Sequence, residues 1–244
     1  MIVISAGMQK SGSAYFYNLL NDLLVAAGEQ DARTVKDQYN LDGQMQWANN
    51  NIGQPRFIKL LRLHMIRRKT GSFAVKTHAG PNWVTRLFSA LGAVKIIYIF
   101  RDPRDALLSA VDHGQKILNE GETHTFAKFA SFEKALPVVK KWSRTWRRYH
   151  NMGDVLVVRY EDLMANPEEV MQSCESFLGI SVSDKARKQI IWKYDRRNKA
   201  AKKKALHFNK AVTARWKTEM SREQKIRCNH EFGKYLVQMG FKRY

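Results

Sequence analysis

A chain of 244 residues, 44% hydrophobic and 26% charged, has the length and apolar content for one large domain or two small ones, which excludes a disordered, collagen-like or disulfide-framework protein. Lys and Arg number 42 against 22 Asp and Glu; the formal charge of +20 attracts polyanions but says nothing of fold. No apolar run of about 18 residues is present for a membrane span, and Cys174 and Cys228 are too few and too widely spaced for a zinc motif, so both are expected as reduced packing residues.

The apolar run Ile2–Ser5 is expected as a buried strand. Gly7-Met8-Gln9-Lys10-Ser11-Gly12-Ser13 follows it and precedes an amphipathic run carrying Tyr15, Phe16, Leu19, Leu20, Leu23 and Leu24. Strand, glycine loop and helix is the layout that holds phosphate: the glycines allow a tight turn, and the helix start adds unpaired N–H groups and a favourable dipole. The two glycines match the spacing of the triphosphate loop G-x-x-x-x-G-K-[ST], but Ser13 stands where its lysine belongs and Lys10 lies inside the loop. This predicts a phosphate-like ligand held differently from metal-bound ATP. The loop comes too early for a signal peptide to precede it, so a soluble cytoplasmic protein is expected.

Residues 29–55 are polar and irregular. Phe57–Arg68 reads as a basic amphipathic helix with Ile58, Leu61 and Met65 on one stripe. The 29–70 insertion is expected either as a wall of an acceptor site or as a surface excursion. A strand over Phe73–Lys76 ends in Lys76-Thr77-His78, where His78 is a candidate general base or a structural histidine. A strand over Val94–Phe100 opens into Arg101-Asp102-Pro103-Arg104-Asp105, with Pro103 starting a helix that carries Ser109. The Arg101 fork suits a terminal phosphate that Ser109 can share, or it pairs with Asp at the helix start. His113, farther along that helix, is the second candidate base.

One long helix is expected over 125–150, with Phe126, Phe129, Phe132, Leu136, Val139 and Trp142 as its core stripe. A strand over Asp154–Val158 leads into Arg159-Tyr160-Glu161-Asp162-Leu163, where Tyr160 sits at the sheet edge and can meet a nucleobase. Asn166-Pro167-Glu168-Glu169 starts a helix that Gly179 ends. Residues 193–204 form a basic run expected to be solvated and mobile, compatible with a lid. Strand–helix alternation predicts an α/β fold, a parallel sheet covered on both faces with ligands beyond the carboxyl ends of its strands.

Taken in order, Lys10-Ser11-Gly12-Ser13, Lys76-Thr77-His78, Arg101-Asp102-Pro103-Arg104-Asp105 with Ser109, and Tyr160-Glu161-Asp162-Leu163 resemble the PAPS-dependent sulfotransferase family. Asn209-Lys210-Ala211-Val212-Thr213-Ala214-Arg215-Trp216-Lys217 is similar to its R-K-G-x-x-G-x-W-K segment, and Gly240-Phe241 to its final L-G-Y. The resemblance spans nearly the whole chain and implies one domain over 1–244 with a P-loop-like three-layer fold. It also implies a donor, 3′-phosphoadenosine 5′-phosphosulfate (PAPS), as co-substrate. Lys10, Ser11, Gly12, Ser13 and Ala14 would cradle the 5′-phosphosulfate, and Tyr15 would stack on adenine where the family has tryptophan. Arg101 and Ser109 would hold the 3′-phosphate, Tyr160 would touch adenine, and Lys210 would close over the 3′-phosphate from a lid within 193–217. Asn209, Ala211 and Ala214 depart from the family's clamp, which predicts a looser grip. The family's dimer motif K-x-x-x-T-V-x-x-x-E is not matched by Lys217-Thr218-Glu219-Met220-Ser221-Arg222, so a monomer or a differently built dimer is expected.

The implied chemistry is in-line transfer of a sulfonyl group to an acceptor hydroxyl, or an amine, without a metal. Lys10 would stabilise the leaving oxygen, His78 would take the acceptor proton and Lys76 would support the sulfonate. Ser109 would restrain Lys10 until acceptor arrives. The acceptor is expected to be a small molecule, glycan or lipid of amphipathic or anionic character, with no specific nucleic-acid partner. The rival readings are a nucleotide-dependent small-molecule kinase, requiring ATP and magnesium, and a basic polyanion-binding protein with steeply salt-dependent affinity.

Overall fold

The computed structural model describes residues 1–121, 125–195, 197–198 and 212–244. In chain order these form β1 (Ile2–Gly7), α1 (Ser13–Ala26), α2 (Ala32–Gln38), α3 (Phe57–Thr70), β2 (Phe73–Thr77), α4 (Trp83–Ala90), β3 (Val94–Phe100) and α5 (Pro103–Asn119). A 3₁₀ turn (Thr125–Phe129) leads to α6 (Phe132–His150), β4 (Val155–Arg159), α7 (Tyr160–Ala165), α8 (Pro167–Leu178), α9 (Asp184–Tyr194), α10 (Trp216–Glu219) and α11 (Arg222–Gln238).

The strands make one parallel sheet in the order β2-β1-β3-β4. Alternation along each strand divides the core in two. Ile2, Ile4, Ala6, Val94, Ile96, Tyr98 and Phe100 pack with the apolar sides of α3, α4, α5, α6 and α11. Val3, Ala74, Ile97, Ile99 and Val158 face α1, α7, α8 and α9. Two covered faces explain why the strands are nearly continuous in apolar residues, and the result is the expected three-layer α/β fold. The chain turns one way from β1 to β2 and the other way to β3, so β1 lies at the switch point where such sheets bind ligands.

On α3 the Ile58/Leu61/Met65 stripe lies outward, with Ile58 79% exposed, and Leu60, Leu63 and Ile66 form the buried row. Two local expectations are corrected. The helix expected over 125–150 is broken, because the backbone of the 3₁₀ turn crosses α5 at Gly114. A Cβ there would lie 2.6 Å from the Phe126 carbonyl oxygen and 2.7 Å from the Ala130 nitrogen. Helix α6 restarts after Ser131, whose extended backbone ends the turn. At α8, Pro167 takes the first turn and Gly179 closes the helix in the left-handed region as expected, but the Asn166 side chain makes no cap bond.

The polar stretch after α1 is built into the sheet rim. Asn51 bridges to Lys76 in parallel, with the Lys76 N–H donating to the Asn50 carbonyl and the Ile52 N–H to the Lys76 carbonyl. Cys174 and Cys228 are buried free thiols, and burial pushes both upward in pKa.

Candidate active site

Register places the candidate groups side by side. Ala6 pairs with Thr77, Gly7 with Ile99, and Phe100 with Arg159. The glycine loop, His78, Arg101 and Tyr160 therefore all leave the sheet at one edge.

The loop meets α1 at Gly12, which sits in the left-handed region at φ 73° and gives the helix no side-chain cap. A Cβ at Gly12 would fall 2.7 Å from the Tyr160 ring, so conformation and space both demand glycine there. Lys10 adopts φ 64° although it carries a side chain, a strain that points to function. The Ser11 hydroxyl donates to the Met8 carbonyl at 2.6 Å and stiffens the turn. The start of α1, at Ser13 and Ala14, has no side-chain cap, and an uncapped helix start presents N–H donors to an anion. The Lys10 ammonium lies 5.3 Å from the centre of the Phe126 ring, a contact supplied by the turn that breaks the expected helix. Burial, with Arg101 adding to it and Asp112 opposing it, pushes Lys10 down to about 8.

His78 is held at both nitrogens. Nδ1 lies 2.8 Å from the Gly7 carbonyl, which can only accept, so Nδ1 carries the proton. Nε2 lies 2.7 Å from the Lys76 ammonium, which donates to it. Burial, with Lys76 as the second cause, pushes His78 down to about 3 despite the Gly7 bond, leaving a neutral imidazole. Burial also pushes Lys76 down to about 8.

The far side of the edge is built around Arg101, only 5% exposed. Its Nη2 donates to the Val212 carbonyl at 2.5 Å and lies 3.5 Å from Asp105, its guanidinium lies 4.7 Å from the centre of the Tyr160 ring, and its Nε has no partner among the described residues. Ser109 is buried two turns along α5 from that point. Asp102 caps α5 by accepting from the Arg104 N–H and ties down the Arg104 guanidinium, which lies 3.5 Å from the centre of the Trp216 ring. Arg–Asp pairing at the helix start is thus made twice, closely by Arg104 with Asp102 at 2.7 Å and more loosely by Arg101 with Asp105 at 3.5 Å.

Sequence reading missed the clasp that brings the C-terminal segment here. Asp105, fully buried, accepts from the Trp216 N–H at 3.0 Å, and Arg215 pairs with Asp112 at 2.8 Å. Arg101 and Asp105 at i,i+4 were the one signal available; their partners lie more than a hundred residues away. Lys210, and most of the 193–217 lid, lie outside the described residues. Within the basic run, Lys193 belongs to α9 and pairs with Asp22. The His113 ring is edge-on to Phe126 at 4.9 Å, the same ring that the Lys10 ammonium approaches. Tyr15 is buried in α1.

Ala214, which stands where the resembled segment has glycine, is in the left-handed region at φ 59°. Ala214→Gly is expected to raise stability by about 1 kcal/mol, since removing a left-handed penalty of about 1–2 kcal/mol outweighs the chain entropy glycine adds. The urea midpoint at constant slope reads this directly.

No curated protein matches the sequence. The fold is shared with mouse sulfotransferase SULT7A1 complexed with PAP, at 18% identity and TM-score 0.63 over 97% of this chain and 84% of that one. It is shared with retinol dehydratase in complex with androsterone and PAP, at 15% identity and TM-score 0.60 over 96% and 80%. The sulfotransferase domain from the curacin biosynthetic pathway matches at 16% identity and TM-score 0.57 over 100% and 98%. The family model for the sulfotransferase domain matches residues 2–240, and the chain belongs to that family.

Proposed function

We propose that the protein transfers a sulfonyl group from PAPS to an acceptor hydroxyl, or an amine, with residues 1–244 acting as one unit. The observation that carries the reading is Arg101: a buried guanidinium whose Nε has no partner among the described residues, set at the end of the strand next to the one that ends in the uncapped glycine loop. Two cationic sites at the ends of neighbouring strands, β1 and β3, with the Tyr160 ring against both, suit a nucleotide phosphorylated at both 3′ and 5′ positions. They give a kinase no reason to bury Arg101, and a family match over nearly the whole chain speaks against a bare polyanion binder.

When bound, PAPS supplies an activated sulfonyl group and leaves as 3′,5′-ADP. Lys10, Ser11, Gly12, Ser13 and Ala14 hold the 5′ end, with Tyr15 behind them. Arg101 and Ser109 hold the 3′-phosphate, with Lys210 closing from the lid, and the Tyr160 hydroxyl meets the adenine edge. Lys10 sets a positive charge at the leaving oxygen. Ser109 restrains it until acceptor is present. Lys76 moves from His78 toward the transferring sulfonate, which frees Nε2 to take the acceptor proton while Gly7 keeps the tautomer fixed.

His78→Ala is expected to lower turnover at least about a hundredfold with little change in donor affinity. Unchanged turnover, with collapse in His113→Ala, would move the base to α5. The reading itself is tested by transfer of labelled sulfonate from PAPS across a panel of phenols, sugars and lipid alcohols, with chelator present. Transfer is expected to continue without metal, whereas phosphoryl transfer from magnesium ATP would contradict the reading.

The buried reduced thiols suit the cytoplasm. The 29–70 wall beside His78 favours an amphipathic or anionic acceptor and gives no reason for nucleic acid. Helix α10 and the capping box at Ser221 occupy the stretch of the family's dimer motif, which favours a monomer or a dimer built elsewhere.

A further inference from the structure

The displaced stripe of α3 is the strongest unexplained feature of the surface. Ile58, Leu61 and Met65 are exposed along it, and Trp83, Leu87 and Leu91 are exposed at the same helical spacing along α4. The two rows meet where Phe57 stacks on Trp83, ring centres 6.3 Å apart at 17°, with Phe57 edge-on to Phe88 behind. The Asn82 side chain donates to the Pro55 carbonyl at 2.7 Å and fixes the junction. Both helices cover the same face of the sheet, and the junction lies at the rim that carries His78.

The charge around these rows has one sign. From Gly43 to Arg101 the sequence contains no Asp or Glu, while Arg56, Lys59, Arg62, Arg68, Lys69 and Arg86 flank the rows. The nearest acids are engaged elsewhere: Glu29 accepts from the Ser72 N–H, Asp42 pairs with Lys36, and Asp154 accepts from Ser89. Exposed aromatic and aliphatic side chains on helices that carry cations and no acid have the composition of a surface that lies in a lipid interface. No helix among the described residues is long and apolar enough to cross a membrane.

We propose that the α3–α4 face docks peripherally on an anionic lipid surface, with Ile58, Leu61, Met65 and Trp83 entering the interface and the flanking cations meeting the headgroups. Docking in this way sets the rim of the cleft at the bilayer. The proposal stands on this face alone and does not depend on which nucleotide the cleft holds.

Cosedimentation with phosphatidylcholine/phosphatidylserine vesicles, against pure phosphatidylcholine, tests it. A protein of charge +20 adheres to anionic vesicles by field alone, so the deciding variant is charge-neutral: Ile58→Ser/Leu61→Ser/Met65→Ser. It is expected to bind mixed vesicles at least about tenfold more weakly than wild type at equal salt, with an unchanged melting temperature. Brominated lipid is expected to quench wild-type tryptophan emission, and Trp83→Phe to lose most of that quenching. Binding by the triple variant equal to wild type, or quenching untouched in Trp83→Phe, would overturn the proposal. So would a fall in the lipid-free mass of the triple variant in sedimentation velocity, which would assign the face to a second copy of the chain.

Discussion

Lys10→Met should lower turnover by about a hundred- to a thousandfold, the loss expected when one aimed electrostatic donor is removed from a transition state. Met keeps the length of the side chain and carries the same left-handed penalty at φ 64°, so the comparison isolates the charge. The pH profile gives an independent reading. Lys10 and Lys76 are each held at about 8, well below the ordinary lysine value of 10.5. The proposed chemistry uses both ammoniums, so log kcat/KM should fall above pH 8 more steeply than one proton allows. Lys10→Arg should leave a one-proton decline, because guanidinium keeps its charge in that range. An unaltered steep decline in Lys10→Arg would remove Lys10 from the chemistry.

The same groups act on stability with a definite sign. Between about pH 8 and 10.5 the unfolded chain binds more protons at these lysines than the folded one, so their contribution makes the protein more stable as pH rises through that window. The cost of burying the two charges is fully present below it. A bound anion offsets that cost, and nucleotide binding near pH 8 should therefore take up protons.

Arg101→Ala should weaken binding of 3′,5′-ADP by about a hundredfold, from the loss of charge-assisted hydrogen bonds worth about 2–3 kcal/mol in a buried setting. Binding of 5′-AMP, which has no 3′ group, should change by only about threefold. Arg101 also holds the Val212 carbonyl, so an equal loss for both nucleotides would mean that the residue acts by anchoring the C-terminal segment. Calorimetry with the two ligands separates these outcomes.

The sheet was legible because its strands are buried on both faces: Ile2–Ser5, Phe73–Lys76, Val94–Phe100 and Asp154–Val158 match the observed strands to within two residues at either end. The glycine loop was legible because its chemistry is local. What the sequence hid was set by distant partners. The helix that the Phe126-to-Trp142 spacing favours is interrupted where the backbone of residues 126–130 packs onto α5 at Gly114, a contact distant in sequence from the stripe. The buried row of α3 was not legible because two apolar rows share that helix, Leu60/Leu63/Ile66 and Ile58/Leu61/Met65, and periodicity alone does not say which row meets the core. The Asp105–Trp216 clasp joins segments that no local pattern connects.

The central claim is that one sheet edge grips both charged ends of a single adenosine bisphosphate. Thermal unfolding with equal concentrations of 3′,5′-ADP, 5′-AMP and magnesium ATP tests it most directly, since a ligand that prefers the folded state raises the melting temperature. The largest rise is expected for 3′,5′-ADP, with little from the other two. A protein that ignores 3′,5′-ADP and is stabilised by magnesium ATP would contradict the account.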